Sequence, residues 1–203
     1  MARSAGIAGC RALHVQIFDD FPNKILAHFC KSGSLPWNIP AVNIPLPADL
    51  PGCDDTRFMG EALRQAGRAL AADEVPVGAV IVRNGEILAK AWNQVEMLKD
   101  ATAHAEMLAI TMAEHAVEDW RLSDCDLYVT KEPCPMCAGA IVHARLRRVI
   151  FGCPDPKGGA AGGLINLLQM PGLNHRCEIT GGILSDACAE ILRGFFAGRR
   201  KKG

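Results

Sequence analysis

The stretch KEPCPMC, residues 131–137, sets Cys134 and Cys137 two residues apart, with Pro133 and Pro135 flanking the first cysteine. A Cys-x-x-Cys pair can be a redox couple, a disulfide, two small buried hydrophobes or half of a metal site. Local context leaves the redox reading open, because thioredoxin-type pairs also open a helix. A further ligand would decide the matter, and TAHAEM at 102–107 offers one. His104 opens a predicted helix just as Cys134 does. If the two strand-to-helix crossovers lie side by side, one imidazole and two thiolates converge. That set suits Zn²⁺, and three protein ligands leave the fourth tetrahedral position to water, as a catalytic site requires. Both helix N-termini also present positive dipole ends, which favour thiolate over thiol.

Two thiolates nearly cancel the zinc charge, so the bound water would need a proton acceptor. Glu106 follows His104 by two residues and can approach the fourth position without binding the metal. Alone, Glu106 reads as an acid stabilising a helix N-terminus; beside His104 and the cysteine pair it reads as a general base. The other histidines compete weakly. His115 and His143 fall near helix ends and read as surface residues, and His14 and His28 lie in an irregular region.

The elements that must position these side chains are legible from pattern. Residues 1–55 form an irregular extension: SGSLPWNIPAVNIPLPADLPG contains five prolines, which remove amide donors and fix φ. From there Asp54, Asp55 or Thr56 can cap a helix with Phe58, Ala62, Ala66, Ala69 and Leu70 on one face. VPVGAVIVRNGEILAKAWN reads as two strands joined by Asn84-Gly85, a strong hairpin signal. Thr102 can cap the helix AHAEMLAITMAEHA. CDLYVT reads as a strand, PMCAGAIVHARL as a helix and RRVIFG as a strand. A Gly-rich loop, a short helix near 164–169 and a final helix over about 185–196 complete the chain. Strands alternating with helices imply a three-layer α/β/α domain on a mixed sheet over 56–203.

Composition is that of a globular protein: 49% hydrophobic, 22% charged and formally neutral, with no apolar window long enough for a membrane span. Nine cysteines, an odd number in scattered settings, fit a reducing compartment better than a secreted disulfide framework. Arg11 and His14 interrupt any signal-peptide core, so a cytoplasmic location is expected. Neutrality hides an asymmetry. From Ile141 onward Arg145, Arg147, Arg148, Lys157, Arg176, Arg193, Arg199, Arg200, Lys201 and Lys202 face only Asp155, Glu178, Asp186 and Glu190. That third of the chain suits a polyanion, although charge alone equally describes a solvated helix face and a basic tail.

The pattern H-A-E…P-C-x-x-C resembles the zinc-dependent cytidine-deaminase superfamily. More narrowly, EVPVGAVIV, AWN, TAHAEM, LYVTKEPCPMCAGAIVHAR, RVIFG, GAAGGLINLL and NHRCEITGGIL resemble the bacterial tRNA adenosine deaminases, the TadA family, over about 58–196. The resemblance implies a cytidine-deaminase-like fold with a five-stranded sheet and one zinc on His104, Cys134 and Cys137. It implies that activated water attacks C6 of an adenine, with Glu106 moving the protons, and that the product is inosine. The implied substrate is the wobble adenosine of an arginine tRNA, presented in the anticodon stem-loop to a homodimer. It further implies a nucleoside contact at Asn93 and RNA contacts at Asp155 and Lys157; without it, Asn93 reads as a strand-end turn residue and the other two as a solvated loop. Arg145, Arg147 and the tail GRRKKG become candidate phosphate contacts.

Three positions depart from the family pattern. Lys131 stands where an apolar residue more often precedes Glu-Pro-Cys, Ala101 where proline is common, and Gly158 where threonine often follows the loop lysine. The departures leave the expected chemistry intact and bear on loop geometry and RNA affinity. Two other readings compete: a free-base deaminase for guanine or cytosine, and a noncatalytic zinc-stabilised RNA-binding module. The second needs a fourth protein ligand, for which Cys125 and Cys153 are the nearest cysteines in the chain.

Overall fold

The computed structural model of the protein describes residues 54–200. The expected irregular extension, with His14 and His28, lies outside the described residues except for Asp54 and Asp55. Those two lie in the first turn of helix α1 (Asp54–Ala71), which therefore takes in the last two residues of the expected extension. Acidic residues suit that end of a helix. Phe58, Met59, Ala62, Leu63, Ala66 and Ala69 are buried along one face of α1, at the helical spacing its sequence shows.

Strands β1 (Gly78–Arg83) and β2 (Glu86–Trp92) form the expected hairpin. Asn84 and Gly85 at its tip have φ of 51° and 81°, the left-handed pair a two-residue I′ turn demands. Gly78 is required by contact: a Cβ there would sit 2.1 Å from the Ala62 carbonyl oxygen and 2.5 Å from the Ala66 nitrogen. Strand β1 therefore rests directly on the α1 backbone. Next come a single turn α2 (Val95–Leu98), helix α3 (Ala105–Val117), strand β3 (Cys125–Lys131), helix α4 (Pro135–His143), strand β4 (Arg148–Cys153), strand β5 (Glu178–Gly181) and helix α5 (Ser185–Arg200).

The five strands form one sheet in the order β2-β1-β3-β4-β5. Pairing is antiparallel across β2-β1-β3 and parallel across β3-β4-β5. Helices α1 and α5 pack together, as do α3 and α4, and the two pairs cover opposite faces. This is the expected α/β architecture, three layers around a mixed five-stranded sheet, with the cytidine-deaminase-like topology. Central strands β1 and β3 are buried nearly end to end, which their continuous apolar runs require.

The short helix expected near 164–169 does not form. The segment is a series of turns with one isolated bridge, Ala161 to Asn166. The Asn166 side chain accepts the Gln169 amide at 3.2 Å, offering the backbone a partner that competes with a helical bond. No helix among the described residues is long and apolar enough to cross a membrane.

Candidate active site

Because β3 and β4 run parallel, the chain leaves both at the same end of the sheet. Strand β3 continues through Glu132 and Pro133 to Cys134, and β4 continues through Pro154 to Asp155. His104 is the N-cap of α3 and Cys134 the N-cap of α4, both with extended backbone (φ −71°, ψ 153° and φ −74°, ψ 170°). N-caps are usually Ser, Thr, Asp or Asn, whose oxygen satisfies a free helical amide. Neither His104 nor Cys134 caps its helix through its side chain. Pro135 occupies the first helical position, where its missing N–H leaves nothing unpaired. Thr102, the expected cap of α3, lies two residues too early. Its amide and hydroxyl both donate to Asp100 Oδ1, at 2.8 and 2.7 Å, forming a turn that delivers His104.

The freed side chains meet each other. His104 Nδ1 lies 3.7 Å from Cys134 Sγ and 3.5 Å from Cys137 Sγ, and the sulfurs are 3.7 Å apart. Tetrahedral bonds of about 2.3 Å to sulfur and 2.1 Å to nitrogen give edges of about 3.8 and 3.6 Å. The triangle has the dimensions of one face of such a tetrahedron, and the donor set fits zinc. Among the described residues this is the one group of three His, Cys, Asp or Glu donors close enough to share a cation. Cys153 donates to the Thr130 carbonyl and Cys125 to Asp124, and neither belongs to the cluster.

The two thiols are strongly unequal. The hydrogen bond with Cys137 brings Cys134 down to about 3, aided by His104 and opposed by burial. The same bond, burial and the Glu106 charge push Cys137 up. The hydrogen bond with Cys134 raises His104, against the effect of burial. A divalent cation among them would hold both sulfurs as thiolates. Glu106, second residue of α3, is 4% exposed, and burial lifts its carboxyl above the usual range, with its backbone hydrogen bond and His104 opposing.

A cavity of about 320 Å³ opens over this group. Its walls include Glu74, Val77, Asn93, Val95, His104, Glu106, Lys131, Glu132, Cys134 and Phe196. A larger groove of about 400 Å³ lies between α1 and α5, lined by Leu70, Ile191 and Phe195; its acidic residue, Asp73, already pairs with Arg199. Asn93 is buried at the end of β2, where its Nδ2 donates to Glu74 Oε2 at 3.1 Å. The other Glu74 oxygen accepts the Met97 amide at 2.7 Å, so the Asn93 amide is held with its second N–H and its oxygen still available.

Asp155 and Lys157 do not line the cavity. Asp155 adjoins it through an ion pair with Lys131 and accepts the Lys157 amide on its other oxygen at 3.1 Å. Lys157 is exposed. The loop carrying both is organised by Glu132, which is 2% exposed. Its oxygens accept the amides of Asp155, Ala161 and Gly163 at 2.8, 3.0 and 2.8 Å. Glu74, Lys131, Glu132 and Phe196 had no role assigned from sequence. Glu74 and Glu132 do stand inside the blocks EVPVG and KEPC, where a carboxylate beside buried strand residues is itself a signal.

Two candidate phosphate contacts are otherwise engaged. Arg147 makes a bidentate pair with Asp126, at 2.9 and 2.9 Å, and Arg145 donates to the Asn174 carbonyl. Both precede β4, at the end of the sheet opposite the cavity.

A family model described as MafB19-like deaminase matches residues 53–200. The tRNA-specific adenosine deaminase of Bacillus subtilis is 50% identical over 148 residues, which cover 73% of this chain and 92% of that protein. A solved structure from work on A-to-I editing by tRNA:A34 deaminases at the wobble position is 45% identical, with a TM-score of 0.66, covering 68% of this chain and 99% of that one. The guanine deaminase of Nitrosomonas europaea is 26% identical with a TM-score of 0.62, over 81% of this chain and 94% of that one.

Proposed function

Since this chain belongs to the MafB19-like deaminases and, among them, to the tRNA-specific adenosine deaminases, we propose that it converts the wobble adenosine of an arginine tRNA to inosine, releasing ammonia. The observation that carries the reading is the buried Glu106 carboxylate beside the His104–Cys134–Cys137 triangle, under a cavity that also presents Asn93.

His104, Cys134 and Cys137 would hold one zinc, which supplies a water acidic enough for its oxygen to add to C6 of the adenine. Glu106 takes the water's first proton and delivers it to ring N1. It then carries the second to the exocyclic amine; the C–N bond breaks, ammonia leaves and C6 becomes a carbonyl. Glu106 can do this because it sits in the first turn of α3 beside the ligands without being one. Asn93, fixed by Glu74, presents its free amide atoms to the nucleoside. Asp155 and Lys157 meet the RNA flanking the flipped base. The anticodon stem-loop is the partner, and the expected location is the cytoplasm. A homodimer is part of the same reading. Exposed Leu164, Ile165, Met170 and Leu173, close together in sequence between β4 and β5, support it as an apolar face.

The test is an inosine assay on zinc-loaded protein with an anticodon stem-loop carrying wobble adenosine, beside free guanine and cytosine. Inosine at that position is expected, falling by about 10²-fold or more in Glu106→Gln with zinc content unchanged. Ammonia from guanine with an unreacted stem-loop would instead move the chain to the free-base reading, which the guanine deaminase likeness represents. Full turnover by Glu106→Gln would remove the proton-transfer role.

A further inference from the structure

We propose that Lys131 is a substrate contact, an ammonium at the rim of the cavity that binds an RNA backbone phosphate next to the target nucleotide. This rests on the tRNA deaminase reading above.

The charge around the cavity demands such a group. Its walls carry the carboxylates of Glu74, Glu106 and Glu132, with Asp155 adjoining and Glu96 paired with Lys99, and Lys131 is the one lysine or arginine among the described lining residues. The donors that hold Glu74 and Glu132 are amides, which satisfy those carboxylates without cancelling their charge. A nucleotide entering with its phosphates therefore meets several carboxylates and, among the described lining residues, a single lysine to offset them. Arg199, near the end of the described chain, is already paired with Asp73.

The ammonium is free to serve. It has three N–H donors, and among the described residues Asp155 is its one hydrogen-bond partner. The side chain is 32% exposed, so its remaining donors can reach a ligand without leaving Asp155. Clamping Asp155 does not by itself explain the lysine. The Asp155 amide is already held by Glu132 at 2.8 Å, and its Oδ1 by the Lys157 amide. Nor does packing, since an apolar side chain would fill the same space without the cost of desolvating a charge.

The experiment measures binding of the zinc-loaded protein to the anticodon stem-loop across a KCl series, for wild type, Lys131→Met, Lys131→Arg and Asp155→Asn. Loss of one phosphate contact makes the slope of log K against log[salt] shallower by about 0.7. Lys131→Met is expected to show that change and to bind several-fold more weakly at low salt, with unchanged zinc content. Lys131→Arg keeps the wild-type slope. Asp155→Asn keeps the slope or steepens it, because its lysine remains. A wild-type slope in Lys131→Met, or one shared change in Lys131→Met and Asp155→Asn, would show that the lysine serves only Asp155 and would overturn the proposal. If wild type deaminates the stem-loop, that failure belongs to this inference alone; if wild type neither binds nor deaminates it, both readings fall.

Discussion

His104 and Cys134 occupy positions where a helix ordinarily gains about 1 kcal/mol from a capping oxygen, and both forgo it. The sacrifice makes sense only if the side chains have a stronger partner, which the 3.5–3.7 Å triangle with Cys137 provides. It also gives Cys134→Ser an unusual signature. The serine hydroxyl is a poor zinc ligand but a good N-cap for α4. Zinc measured by elemental analysis is expected to fall far below one per chain and deamination to be lost. The chelated variant should be as stable in urea as the chelated wild type, or more stable by up to about 1 kcal/mol. Near-normal zinc content would refute Cys134 as a ligand. These residues were legible in the sequence because their chemistry is written in residue type and short spacing. Glu74, Lys131 and Phe196 were not, since they reach the cavity from the turn after α1, the end of β3 and helix α5. Only the tertiary fold brings those segments together.

Among the elements, the loop after β4 takes its path from the end of the neighbouring strand. Glu132 receives three loop amides, so the course of residues 155–163 is set by a buried side chain on the segment that leads to Cys134. Gly159 is the close point of that packing. A Cβ there would lie 2.2 Å from Glu132 Cδ and 2.3 and 2.5 Å from its oxygens. The carboxylate is pinned by its three donors and cannot swing aside without leaving buried amides unpaired. Gly159→Ala is therefore expected to cost about 2 kcal/mol in urea denaturation and to raise KM for the stem-loop more than it lowers kcat, with zinc retained. An unchanged KM would separate this loop from substrate binding. Such a fan of hydrogen bonds has no linear signature. The β1–β2 hairpin, written in one local dipeptide, was read correctly, whereas the helix expected near 164–169 gave way to a side chain competing for the backbone.

Across the whole molecule, part of the basic excess of the C-terminal third is held in ion pairs at the end of the sheet away from the cavity. Arg147 and Arg148 converge on Asp126, Arg148 also pairs with Asp55 at 3.0 Å, and the Tyr128 hydroxyl donates to Asp55 at 2.6 Å. Net charge was legible in the sequence, but not which arginines were already spent, because their partners lie 21 to 93 residues away. The network also ties the first described helix to the sheet. Family similarity starts at residue 53, and Asp55 is the first described side chain tied into the sheet. Removing residues 1–53 is accordingly expected to leave folding and deamination near wild type, whereas Asp55→Asn in the full chain costs about 1–2 kcal/mol through the lost ion pair with Arg148. The acid response carries the same sign. Burial raises the Asp55 pKa, but the hydrogen bonds from Tyr128 and Arg148 and the Arg148 charge outweigh it, leaving it below 3.8. A carboxylate with a depressed folded pKa stabilises the fold above its unfolded value, and that contribution disappears as pH falls through the folded one. Urea midpoints of wild type and Asp55→Asn should thus differ at pH 7 and converge below about pH 4. A constant difference across that range would assign the loss to packing rather than charge, and an insoluble 54–203 fragment would show that the fold draws on the segment before Asp54.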